Sequence, residues 1–343
     1  MLTLRKFLPL FLVVAMLLGG CSPQAAAPAL PTEPVLEPAA TLAATSTQAP
    51  TDAPTLAATS TPEGIILPDG LGGEFILSTP AQRVVSLAPS NSEILFAVGA
   101  GAQVVAREDF TNYPEEAVAL PSVGGFSGAY DYEAIVGFIP DLVLASPLTS
   151  AEQIQSLKDL GLRVMVLPNP TNMDGLYANL QLVGNATGHS AEAEALVFSL
   201  QAREKKVLEA IATTTERPTV LYELDGTDPA KPWTTGPGTF INLLIHLAGG
   251  ENIGAALTGE WVQLSLEEII VQDPDFILLG DANYGTTPDM VATRAGWENL
   301  SAVKNNRVLS FNDDLASRPG PRMIDGLEEM ARILHPEIAD QLP

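Results

Sequence analysis

A single cysteine, Cys21, leaves this 343-residue chain without an intrachain disulfide. Histidine is almost as scarce. His189, His246 and His335 are the only three and lie far apart, so the sequence offers no metal-ligand spacing for zinc or manganese capture. Basic residues number 17 against 41 acidic ones, for a net charge of −24, which argues against nucleic acid and polybasic membrane contact. An anionic ligand needs a local basic spot to overcome that field. Aromatics make up only 6% of the chain. No Gly-x-Ser-x-Gly elbow or recognisable Ser/His/Asp set points to a hydrolase, although a lipid-anchored hydrolase with paired carboxylates is a competing class to weigh.

The N-terminus carries Arg5 and Lys6, then an apolar run from Phe7 to Leu18 and Gly19-Gly20-Cys21. That run is too short for a comfortable membrane span and reads as an export signal over residues 1–20. The placement of Cys21 resembles the lipobox of bacterial lipoproteins, where the cysteine is acylated. It implies a protein held on the extracytoplasmic face of the cell membrane. Residues 21–63 are rich in Ala, Pro, Thr and Ser, and TLAATST at Thr41–Thr47 recurs at Thr55–Thr61. Few large apolar residues there offset the ordering entropy, so a disordered tether is expected.

The body of the chain holds one pattern twice. Asp131-Tyr132-Glu133-Ala134-Ile135-Val136 precedes Pro140-Asp141-Leu142-Val143-Leu144; Ser265-Leu266-Glu267-Glu268-Ile269-Ile270 precedes Pro274-Asp275-Phe276-Ile277-Leu278. Each copy reads as an N-cap, a short helix with Glu in its first turn, a Pro-Asp turn and a buried strand. Two similar lobes follow, over 64–189 and 214–343, each presenting a carboxylate at an equivalent place. Such a pair suits a two-fold symmetric partner. Between them Ser190 to about Ala212 reads as one long helix with an apolar stripe. Strand-helix alternation in both lobes predicts an α/β fold with mainly parallel sheets. Among the elements expected are strands Arg83–Leu87 and Thr219–Leu224, and a helix from Ser90 with a capping box closed by Glu93. Ligands of such sheets bind beyond the strand carboxyl ends. That places Pro89 to Asn91, and the loops carrying Phe110, Tyr113 and Phe126, at the site.

The run from Arg83 to Glu93, with Asn112-Tyr113-Pro114, Val123-Gly124-Gly125-Phe126, Gly249-Gly250-Glu251-Asn252-Ile253 and Trp261-Val262-Gln263-Leu264-Ser265, resembles the class III periplasmic binding proteins. These serve ABC importers of vitamin B12 and ferric siderophores. The resemblance spans Arg83 to Pro336. It implies two Rossmann-like lobes on one rigid helix, limited closure, no catalysis, no cofactor and a monomer that meets a permease dimer and its ATPase. It implies that Glu133 and Glu267 pair with permease arginines, although either is also a favourable helix N-terminal acid. Phe110, Phe126 and Trp261 would face a corrin, with Trp233 on another loop, since an aromatic ring can cover a large planar ligand. Asp314 and Arg318 would bond a corrinoid's amides, or Arg318 an anionic siderophore. Arg322 opposes the helix dipole and so needs a partner, a salt bridge holding the loop being the simplest. Leu224 departs from the pattern, because an aromatic is preferred there. Corrinoid is the first expectation, with siderophore or haem the rival; a surface adhesion or sensory lipoprotein stays open.

Overall fold

The computed structural model describes residues 64–125 and 129–343. The expectations for Cys21, the tether and Phe126 therefore lie outside the described residues. A hairpin of β1 (Ile65–Pro68) and β2 (Glu74–Leu77) opens the first lobe. Then follow β3 (Val84–Ser86), α1 (Pro89–Ala97), β4 (Val104–Arg107), α2 (Glu115–Val118), α3 (Tyr132–Gly137), β5 (Leu142–Ala145), α4 (Ala151–Asp159), β6 (Val164–Val166) and α5 (Met173–Thr187). The strands pair in the order β4-β3-β5-β6, all parallel. β3, β5 and β6 are buried at every position, as parallel strands covered on both faces must be.

A 22-residue helix, α6 (Ser190–Ile211), leads to the second lobe. At 1.5 Å per residue it is about 33 Å long. The second lobe comprises β7 (Thr219–Glu223), β8 (Trp233–Thr235), α7 (Phe240–Leu247), β9 (Glu251–Asn252), β10 (Trp261–Gln263), α8 (Leu266–Gln272), β11 (Phe276–Leu279), α9 (Pro288–Ala292), α10 (Ser301–Lys304), β12 (Val308–Ser310) and α11 (Met323–Leu334). Its parallel sheet runs β9-β7-β11-β12. Numbered along the chain within each lobe, both sheets have the order 2-1-3-4.

The repeated Pro-Asp turn has a mechanical role in both lobes. Asp141 accepts from the amides of Gln82 and Arg83 at 2.8 and 3.0 Å, clasping the approach to β3. Asp275 accepts from the Thr219 amide at 2.9 Å, clasping the start of β7. Asp131 and Ser265 cap α3 and α8 through their side chains, and Glu268 completes a capping box with Ser265.

Ala193, Val197, Leu200, Val207, Ala210 and Ile211 of α6 lie in one continuous core that includes Leu142 and Leu144 of the first sheet and Val220 and Leu278 of the second. The helix is also pinned at neighbouring residues. Tyr177 of α5 donates to Glu204 at 2.7 Å, and Arg203 reaches Glu328 of α11 at 2.8 Å. A hinge that shares its core with both lobes resists wide opening, because each lobe motion would uncover apolar surface.

The expected Ser-x-x-Glu box at Ser90 does not form. The helix starts two residues earlier than that box requires, at Pro89 behind an uncapping Ala88. Proline there has no amide to satisfy, so a cap is not needed for it. Glu93 is buried and serves elsewhere.

Candidate functional site

In both parallel sheets the strand order reverses between the first and third strands, and segments leaving the strands converge there. After β3 come Ala88, Pro89 and Ser90; after β5, Ser146 and Leu148; after β4, Phe110. From the second lobe come Phe240, Trp261, Tyr284, Asp313, Asp314 and the stretch Ser317 to Pro319. Together they line a cleft of about 330 Å³. That is near the low end for pockets that enclose a drug-sized ligand. A larger macrocycle would be gripped between the lips, with part of it left in solvent.

Local bonds fix the lining. Asn91 donates to the carbonyls of Leu144 and Ala145, both at 3.0 Å, tying α1 to the end of β5. Glu108 is buried and accepts from the Phe110 amide and the Thr111 hydroxyl, each at 2.6 Å, which sets the turn presenting Phe110. Burial pushes the Glu108 carboxyl above its ordinary range, and these hydrogen bonds only partly offset it. In the second lobe Trp261 meets Phe240 edge to face at 6.0 Å. Phe110 and Trp261 keep nearly half their surface exposed, so each offers a ring to the cleft.

The electrostatics were only partly readable beforehand. Arg318 is the one cation lining the cleft among the described residues, and its charge is already committed. Its guanidinium contacts Asp314 at 2.8 Å, Asn112 Oδ1 at 2.6 Å, the Phe110 carbonyl at 3.4 Å and Glu93 at 3.5 Å. Asn112 Nδ2 donates back to Asp314 at 2.9 Å. Glu93 also receives two bonds from Arg322, with Nε at 2.9 Å. Glu93 and Asn112 belong to the first lobe, the arginines and Asp314 to the second, so the network bridges the lobes. The partner expected for Arg322 is therefore Glu93. Burial raises the Glu93 carboxyl, and the Arg322 and Arg318 guanidiniums pull it back only in part. Asp313 is likewise raised by burial while accepting from Tyr222 at 2.7 Å.

The proposed ligand residues thus separate. Phe110, Trp261, Asp314 and Arg318 meet in the cleft. Tyr113 does not line it: its ring lies 4.2 Å from the Arg322 guanidinium, on a second recess of about 900 Å³. That recess runs from Glu93 and Phe96 of α1 to Leu196, Leu200 and Arg203 of α6. Helices α1, α2, α6 and α11 supply much of its lining, whereas the cleft is lined mainly by segments that leave the strands, so size alone does not make it the ligand site. Trp233 is in strand β8 rather than a loop, opposite Gln263 of β10, and is outside the cleft lining. Its register puts it on the same ribbon face as Trp261, one diagonal step away. Leu224 falls just past β7 and packs against the core. Sequence reasoning missed Asn112, Glu108 and Tyr284; only the Asn112-Tyr113-Pro114 motif flagged one of them. Among the described residues no group of three His, Cys, Asp or Glu is placed to hold a metal.

Glu133 and Glu267 are exposed at the second position of α3 and α8, helices that lead into equivalent strands. The periplasmic binding protein family model matches residues 84–315. The chain belongs to that family. It is 33% identical over 278 residues to the ABC transporter substrate-binding lipoprotein YvrC of Bacillus subtilis, covering 80% of this chain and 86% of that one. A cobalamin-binding protein of Halobacterium salinarum is 32% identical over 276 residues, 78% of this chain and 73% of the other. Among solved structures, the periplasmic haem-binding protein RhuT from Roseiflexus superposes with a TM-score of 0.67 at 25% identity, covering 76% of this chain and 99% of that one.

Proposed function

We propose that this protein captures a corrinoid between its lobes on the outer face of the cell membrane and delivers it to an ABC permease and its ATPase. The observation that carries this reading is the cleft itself. Aromatic rings from both lobes flank a space whose single arginine is neutralised by Glu93 and Asp314. With Asp313 and Asp314 also on the wall, the site favours a neutral or cationic ligand with amide groups over a polyanion. A ferric siderophore would have to break the arginine's existing pairs. The likeness to a cobalamin-binding protein supports the same choice. Glu133 and Glu267 are the proposed docking acids, Phe126 is carried as a further candidate lip residue, and Cys21 as the lipid anchor. No cofactor and no catalytic residue enter this reading.

Titration of the purified protein with cyanocobalamin, cobinamide, a ferric siderophore and haemin tests it. Saturable corrinoid binding below about 1 μM, near −8 kcal/mol, is the expected result. Selective siderophore binding would overturn it. Haem is the second reading, favoured by one observation: Tyr284, on the cleft wall, is 86% exposed and offers a phenol oxygen as an axial ligand. A haem Soret shift removed by Tyr284→Phe would establish that reading instead.

A further inference from the structure

The two acid-bearing helices carry more than their carboxylates. One helical turn after Glu133 stands Val136, 41% exposed; one turn after Glu267 stands Ile270, 48% exposed. Residues three apart on a helix share a face. Beyond them the first lobe exposes Ile139 at 76% and the second Val271 at 84%. Neither glutamate carboxylate forms an ion pair or hydrogen bond with a described residue. Each lobe therefore shows an uncommitted negative charge beside bare branched aliphatics.

The backbone supplies an independent observation. Both helices are followed by a left-handed residue and then proline: Ile139 at φ +48°, just past the α3 cap Phe138, and Asp273 at φ +41°, the cap of α8. Asp tolerates that conformation, and Asp273 uses it to accept from the Ser301 amide and hydroxyl at 2.6 and 2.7 Å. A β-branched side chain there is a genuine outlier. Ile139 receives no compensating burial, since most of its side chain faces solvent. Strain kept without an internal return is characteristic of surfaces that are used.

Accepting the docking reading of Glu133 and Glu267, on which this step rests, we propose that each lobe docks through a composite patch. The glutamate steers and the neighbouring aliphatics, Val136 with Ile139 and Ile270 with Val271, anchor. The occupant is a membrane protein of two like halves, each presenting a basic side chain next to an apolar recess. Duplication of the patch on lobes of one topology matches that two-fold partner, and the charge sign matches the base. The two patches are not identical, because Gly137 stands where the second lobe has Val271. Contact with the two permease halves is accordingly of unequal depth.

The test uses the ligand-loaded protein and its ABC permease–ATPase complex in lipid nanodiscs. Ile139→Asn with Val271→Asn should speed dissociation about tenfold or more, leave association nearly unchanged, and do so equally at high salt. Glu133→Ala with Glu267→Ala should instead slow association in a salt-dependent way. Melting temperatures of the aliphatic variants serve as folding controls and should not fall. Unchanged dissociation in the aliphatic pair, with the acid pair impaired, overturns the composite patch and leaves the docking acids standing. If the acid pair also binds normally, both fall. A concentration-dependent dimer in sedimentation, dispersed by Ile139→Asn, assigns the aliphatics to self-association and likewise overturns the proposal.

Discussion

In the first lobe the segment after β3 sends a carboxylate, Glu93, into the junction; in the second, the segment after β12 sends the guanidiniums of Arg318 and Arg322 to meet it. Two halves with the same strand order have thus been given opposite charge at the place where they face each other. The outward faces behave differently, for there both halves show the same sign, through Glu133 and Glu267. Inward asymmetry makes the lobes complementary to one another. On the proposed docking reading, outward repetition would suit a partner with two equal parts. The fold alone dictates neither pattern, since both lie in segments outside the strands.

The sharpest way to break the outward repetition is charge reversal at both acids. Glu133→Arg with Glu267→Arg should abolish cobalamin uptake by cells while leaving the dissociation constant for cobalamin unchanged. Each single reversal should leave partial uptake, as two equivalent contacts imply. Uptake assays paired with calorimetric titration check this, and normal uptake in the double variant would remove the docking role.

The inward asymmetry is tested by Glu93→Ala. Removing this buried carboxylate strands Arg322 and weakens the hold on Arg318, whose side chains are only 15% and 13% exposed. Loss of one partner of a buried pair costs about 3–5 kcal/mol. The urea midpoint should fall accordingly, and small-angle scattering should report lobes further apart. A loss below about 1 kcal/mol would mean that solvent already screens the pairs.

How much of this was legible beforehand divides along the same line. The duplicated helices, their caps and the strand-helix alternation behind the parallel sheets were readable because each depends on residues close in sequence: Asp131 on Ala134, Ser265 on Glu268. Glu93 was misread as a cap because its real partners lie 225 and 229 positions away. Local spacing carries no trace of such a pairing. Arg322 did leave one, through its awkward position at a helix start. Tyr113 and Trp233 were placed at the ligand because aromatics in loops suggest a site. Which way a ring turns, however, is set by long-range packing, here on Arg322 and on the β8–β10 ribbon.

A smaller effect concerns pH. Burial raises the carboxyls of Glu93, Glu108, Glu223 and Asp313, so each binds its proton more tightly folded than unfolded. Their contribution to stability is complete below the ordinary carboxylate range and is lost as pH rises through the raised folded values. The exposed Asp225, Asp273 and Glu268 are lowered by hydrogen bonds and act oppositely, losing their contribution as pH falls. Solvent screening keeps that second set weak. The urea midpoint should therefore rise as pH falls from neutral toward the ordinary carboxylate range, and decline only below that range. A midpoint that drops steadily from neutral pH would show that the exposed set dominates.

The smallest effect compares the two helix ends directly. The left-handed conformation costs an ordinary L-residue about 1–2 kcal/mol, and Asn or Asp less. Ile139→Asn should therefore stabilise the protein, by up to about 1 kcal/mol once the exposed side chain's trivial burial is set aside. Asp273→Ile is the reciprocal exchange. It brings the strain of the first lobe to the second and also removes two hydrogen bonds to Ser301, each worth about 1 kcal/mol, so it should destabilise by more than the first exchange gains. Urea titration of both variants reads the two signs. If Ile139→Asn instead lowers stability, the isoleucine is supported by contacts within the fold, and its strain no longer argues for a surface role.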